Sequence, residues 1–98
     1  MIELNDCTMI EKADFPGGYQ CVLDYGDETQ LSIITGNGAI GGTQGLYEIA
    51  IIKNGDVASL PGINDLDTDV VRGYLTEDEV NAIMKKLYLI TAKIPEQV

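Results

Sequence analysis

The sequence contains no histidine and no tryptophan, a single phenylalanine, three prolines and two cysteines among its 98 residues. Without histidine there is no Ser-His-Asp or Cys-His pair, and almost none of the zinc chemistry that enzymes use. Two cysteines are too few for a disulfide-stapled secreted scaffold, so Cys7 and Cys21 read as small buried hydrophobes. The opening residues, Met1-Ile2-Glu3-Leu4-Asn5-Asp6, have neither a basic segment nor an apolar stretch of the signal-peptide kind. No apolar run approaches the ~20 residues of a membrane span. These shortages predict a soluble cytoplasmic protein with reduced thiols and no membrane partner.

Positive charge is scarce as well: six Lys and Arg stand against sixteen Asp and Glu, a net charge of −10. Such a balance argues against direct nucleic-acid binding, which needs a broad cationic face. A hydrophobic content of 45% argues against an acidic disordered tail. The length suits a single domain over residues 1–98 with one core. Carboxylates are plentiful, but no spacing selects two that face across a cleft. A cysteine nucleophile would lack a histidine base and sit in a negative field that raises its pKa. The sequence therefore predicts a non-enzyme, with no cofactor and no bound metal.

Strand patterning fills much of the chain. Residues 6–14 read as a first strand, and Phe15-Pro16-Gly17-Gly18 as a turn. Tyr19, Cys21, Leu23 and Tyr25 alternate onto one face of a second strand. Gly26-Asp27-Glu28 turns the chain into Gln30 to Thr35, with Leu31 and Ile33 on one side. After a glycine-rich loop at 36–45, Tyr47, Ile49 and Ile51 share a face. Asn54-Gly55 is the signature of a type I′ hairpin turn, leading to a short strand from Asp56 to Leu60. Residues 63–75 read as acidic and mostly irregular. Thr76-Glu77-Asp78-Glu79 is a capping box opening a helix over about 77–92, with Val80, Ile83, Met84, Leu87 and Thr91 at helical spacing and Ile90 near the same stripe. Pro95 ends it. The sum is an α+β fold: an antiparallel sheet of four to five strands with one C-terminal helix packed on one face.

Two segments imitate known sites. Gly36-Asn37-Gly38-Ala39-Ile40-Gly41 fits G-x-G-x-x-G, but it runs into Gly42-Thr43-Gln44-Gly45 and a strand, whereas a dinucleotide site needs a helix opening there. Asp65-x-Asp67-x-Asp69 resembles the start of an EF-hand loop, yet Val70 and Thr76 stand where Gly and Glu are required; only a weak, irregular Ca²⁺ site remains open. If extended, these aspartates form a row of charges about 6.6 Å apart on one side, with Glu77 and Asp78 at the helix start nearby. Tyr74, set between the two acidic groups, reads as an interface anchor. Such an array suits the basic groove of a nucleic-acid-binding protein, with salt-sensitive, steered association.

The succession Leu31-Ser32-Ile33, Gly36-x-Gly38, Tyr47-Glu48-Ile49-Ala50-Ile51 and Gly73-Tyr74-Leu75-Thr76-x-x-Glu79-Val80 resembles small accessory proteins of bacteriophages and prophages. That resemblance implies a protein acting in the host cytoplasm that binds and inhibits a host or defence protein, as anti-CRISPR proteins do. The expected partner-binding residues are Asp65, Asp67, Asp69, Tyr74, Glu77 and Asp78, with Gly38, Gly41 and Gly42 as a second contact. Two alternatives stand beside this. One is a sponge or sensor for an anionic, nucleotide-like ligand at the glycine-rich loop. The other is a virion assembly component that self-associates, as a homodimer or larger array, along the sheet edge at Asp56–Leu60.

Overall fold

The computed structural model describes residues 2–59 and 71–98. It is an α+β fold, an antiparallel sheet with one helix near the C-terminus. The strands are β1 (Ile10–Lys12), β2 (Phe15–Asp24), β3 (Thr29–Gly36), β4 (Tyr47–Lys53), β5 (Asp56–Ala58), β6 (Val71–Leu75) and β7 (Glu96–Gln97), and the helix α1 is Glu77–Thr91. The order β1-β2-β3-β4-β5 forms the main path, with β6 on β4 and β7 on β2.

Three long strands carry the architecture. In β2–β3–β4 the register aligns Cys21, Ile33 and Ile49 in one row and Leu23, Leu31 and Ile51 in the next. All six are buried, as alternation with period two requires when one face is covered. Across them lies α1, whose Val80, Ile83, Met84 and Leu87 face the same core. The helix begins as its capping box dictates: Thr76 Oγ1 accepts from the Glu79 N–H at 3.2 Å, and Glu79 Oε1 accepts from the Thr76 N–H at 3.0 Å. It stops at Ala92, which adopts the left-handed conformation (φ 55°). Buried Tyr25 directs its hydroxyl at the Met84 carbonyl, 3.4 Å away. Asn81 Oδ1 accepts from the Leu4 N–H at 2.7 Å, fastening the 3₁₀ turn Leu4–Asp6 to the helix.

Each outer long strand has its free edge shared by two short pieces. β1 lies along one part of β2 and β7 along another; β6 and β5 divide β4 in the same way. Short edge strands are one means of denying a template to other chains.

The structure departs from the sequence reading in several places. The expected first strand over 6–14 is a 3₁₀ turn followed by three paired residues. The chain reverses at Ala13-Asp14, while Phe15-Pro16-Gly17-Gly18 opens β2. Proline is tolerated there because β1 pairs irregularly beside it, and the Gly17 N–H is taken by the Glu11 carboxylate at 3.0 Å. Tyr19, midway along β2 between Glu11 and Thr35, is exposed, unlike buried Cys21, Leu23 and Tyr25, and Ile90 is exposed, off the stripe. Val71–Leu75, expected to be irregular, is strand β6; β5 ends at Ala58. The Asn54-Gly55 turn has positive φ at both residues, 54° and 84°, as type I′ demands.

Candidate interaction site

The glycine-rich segment after β3 is a compact loop ending in a single 3₁₀ turn, Gly42–Gln44. Its amides are largely occupied. Asn37, Ala39, Gly42, Gln44, Gly45 and Leu46 donate to backbone carbonyls, those of Gly17, Gly36, Ala39, Gly41, Gly42 and again Gly41. The Ile40 N–H is held by Glu48 Oε1 at 2.7 Å. A carboxylate therefore sits where an anion-binding loop would need an open donor. The loop itself runs through the 3₁₀ turn into β4 and opens no α-helix, so the G-x-G-x-x-G spacing reflects packing.

That packing explains two of the glycines. A Cβ at Gly41 would stand 2.8 Å from the Tyr74 ring and 3.0 Å from its Cα; one at Gly38 would stand 2.8 Å from the Phe15 ring. Both positions also have φ above 80°, a region that favours glycine. The loop is thus clasped between Phe15, at the start of β2, and Tyr74, in β6.

Tyr74 owes its position to a bulge. Tyr47 pairs with Leu75 and Ile49 with Arg72, so Gly73 and Tyr74 together face the single residue Glu48. The extra residue bends β6 and re-aims the side chain. Tyr74 takes φ 57°, a conformation that costs an L-residue roughly 1–2 kcal/mol. Its N–H donates to the Ile40 carbonyl at 3.2 Å, so both backbone polar groups of Ile40 are pinned. The opposite side of the contact is equally close: a Cβ at Gly73 would overlap the Ile40 side chain.

The outcome is an end of the sheet that presents Tyr74 (58% exposed), Phe15 (47%) and Ile40 (44%) on a braced backbone. Glu77 and Asp78 follow within the exposed first turn of α1. Hydrogen bonding from Thr76 holds the Glu79 carboxyl below its ordinary value.

Of the residues expected from sequence, Tyr74, Gly38, Gly41 and Gly42 come together here, and Glu77 and Asp78 adjoin them. Gly42 is buried against Gly36 and supports the loop from beneath. Asp65, Asp67 and Asp69 lie outside the described residues. Phe15 and Ile40 were not expected: Phe15 falls in an apparent turn, and Ile40 is a lone apolar residue among glycines. The open depression between the β2–β3 and β4–β5 turns, lined by Asp24, Asp27, Glu28 and Asn54, is at the other end of the sheet. Among the described residues, no group of three His, Cys, Asp or Glu is placed to hold a metal ion, and no helix is long and apolar enough to cross a membrane.

No family profile, no curated protein and no solved structure matches the chain.

Proposed function

We propose that this chain is a small acidic binding protein, of the kind phages encode, that docks on a host or defence protein of the nucleic-acid-handling class and inhibits or modulates it. The observation that supports this reading is Tyr74. An exposed aromatic residue held in a strained backbone conformation, braced by a bulge and by a loop whose Ile40 carbonyl accepts its N–H, is costly unless its presentation matters. A rigid tyrosine is an efficient interface anchor. Beside it Glu77 and Asp78 complement the basic surface of a nucleic-acid-binding partner, and an arginine from that surface can stack on the ring. Asp65, Asp67 and Asp69, outside the described residues, add three further carboxylates shortly before Tyr74 in the sequence.

The test is an immobilised chain exposed to bacterial lysate at moderate salt and eluted with competing DNA. Release of one nucleic-acid-binding protein by DNA is the expected result. Its affinity is then measured against Tyr74→Ala and against Glu77→Lys/Asp78→Lys. Each folded variant is expected to bind more than tenfold more weakly, with a reduced salt dependence for the charge reversal. Undiminished affinity in both, or no DNA-releasable partner, overturns the proposal.

A further inference from the structure

The outward face of α1 has a pattern that the core does not explain. Asp78, Ala82, Lys85 and Leu89 follow one another at spacings of four, three and four, which places them on one ridge. That ridge lies opposite the buried stripe of Val80, Ile83, Met84 and Leu87, and all four of its residues are exposed, as is Lys86. Its charge is divided by sign along the axis. The first turn carries Glu77, Asp78 and Glu79, and the following turns carry Lys85 and Lys86. At the C-terminal end Leu89 and Ile90 are 67% and 61% exposed. Midway along the exposed face stands Ala82, the smallest side chain of the ridge.

A helix so patterned is complementary to itself when reversed. We infer that α1 pairs antiparallel with α1 of a second copy of this chain, about a two-fold axis near Ala82. The arrangement sets Asp78 of each copy against Lys86 of the other, and Glu79 against Lys85. It carries Leu89 past the start of the opposing helix: seven residues beyond Ala82 is about 10 Å along the axis. Alanine at the crossing allows the helices to approach to roughly 8 Å, the lower end of helix packing distances. The contact is isologous, so it closes at two copies. The reversed helix dipoles reinforce the charge pairing. Asp78 belongs to both this surface and the one beside Tyr74, so self-pairing and partner docking compete.

The experiment is sedimentation velocity on the purified full chain over a wide concentration series, with circular dichroism to verify folding. The unsubstituted chain is expected to pass from monomer to dimer as concentration rises. Ala82→Arg and Leu89→Asp, both at exposed positions, are expected to remain monomeric throughout. Asp78→Lys and Lys86→Asp are each expected to weaken the dimer about tenfold, and the double variant Asp78→Lys/Lys86→Asp to recover most of the loss, because each chain then supplies both reversed charges. A monomer at every concentration overturns the inference. So does a dimer that survives Ala82→Arg and Leu89→Asp, or a double variant no stronger than the single ones. None of these readouts involves a host protein, so failure here leaves the docking proposal standing and the reverse also holds.

Discussion

If Tyr74 is held in the left-handed region, glycine should be a better residue than alanine there. Replacing the tyrosine with alanine removes the ring but keeps a Cβ, and with it the roughly 1–2 kcal/mol penalty of that conformation. Replacing it with glycine removes the penalty and adds a handicap of about 0.5–1 kcal/mol, because glycine loses more freedom on folding. The difference leaves Tyr74→Gly more stable than Tyr74→Ala by about 0.8 kcal/mol, which is roughly 4 °C in Tm for a chain of this size. The backbone donor to Ile40 is preserved in both variants, and the ring is mostly exposed, so lost burial does not separate them. The neighbouring Leu75, only 2% exposed, supplies the contrast: Leu75→Ala is expected to cost about 2–5 kcal/mol. Urea denaturation of the three variants, analysed by linear extrapolation, measures these differences. An alanine variant as stable as the glycine one would refute the left-handed assignment, and with it the claim that strain is stored at this anchor. Both variants are expected to lose the partner, which would separate the residue's binding role from its effect on stability.

Other perturbations test the frame around the site. Gly42→Ala would drive a Cβ into the Gly36 backbone; it is expected to cost at least 2 kcal/mol in chemical denaturation, roughly the scale of a disruptive core change. Thr76→Ala removes the cap of α1 and is expected to cost about 1 kcal/mol. Glu79 has its carboxyl pKa lowered in the fold, chiefly by hydrogen bonding to Thr76. Its contribution is therefore present above the ordinary carboxylate pKa and is lost as pH falls through the depressed one; Glu79→Gln should flatten the acid limb of a pH–stability curve. Burial pushes the Cys21 thiol from its ordinary value of 9.0 up to about 12 and also raises the partly exposed Cys7. Stability from Cys21 is complete below the ordinary thiol value and declines as pH rises from there towards 12. Native alkylation near neutral pH, followed by mass spectrometry, should leave Cys21 unmodified.

Elements defined by local chemistry were legible in the sequence. The capping box at Thr76 and Glu79 located the helix start, Asn54-Gly55 located the hairpin, and alternation in β3 and β4 gave the core rows. What could not be read depended on pairing between distant segments. Val71-Arg72-Gly73-Tyr74-Leu75 contains a glycine and a charge and looks irregular until β4 offers an edge. The bulge opposite Glu48 has no signature of its own, because it arises from the register of two strands about 25 residues apart. Phe15-Pro16-Gly17-Gly18 carries strong turn chemistry, but the turn formed two residues earlier, where Glu11 could reach round to Gly17. The candidate site was therefore visible as residues, Tyr74 with Glu77, Asp78 and the loop glycines. The clasp that joins them to Phe15 and Ile40 was not.

The fastening of the N-terminal segment bears on how the chain acquires its structure during synthesis. The β2–β3–β4 meander joins neighbours in sequence and can assemble as soon as residue 53 is available. The Leu4 amide instead waits for Asn81, 77 residues downstream, and the Thr8 amide for Gln97, 89 residues downstream. On a ribosome, Leu4 and Thr8 are made long before the residues that hold them. The nascent meander must pass through a period with its apolar face unshielded, until α1 emerges and folds onto it. Charge on the growing chain works against aggregation in that interval: the first 50 residues carry eight acids and one base. The acidic bias of this half thus serves the newborn chain before it serves the folded one.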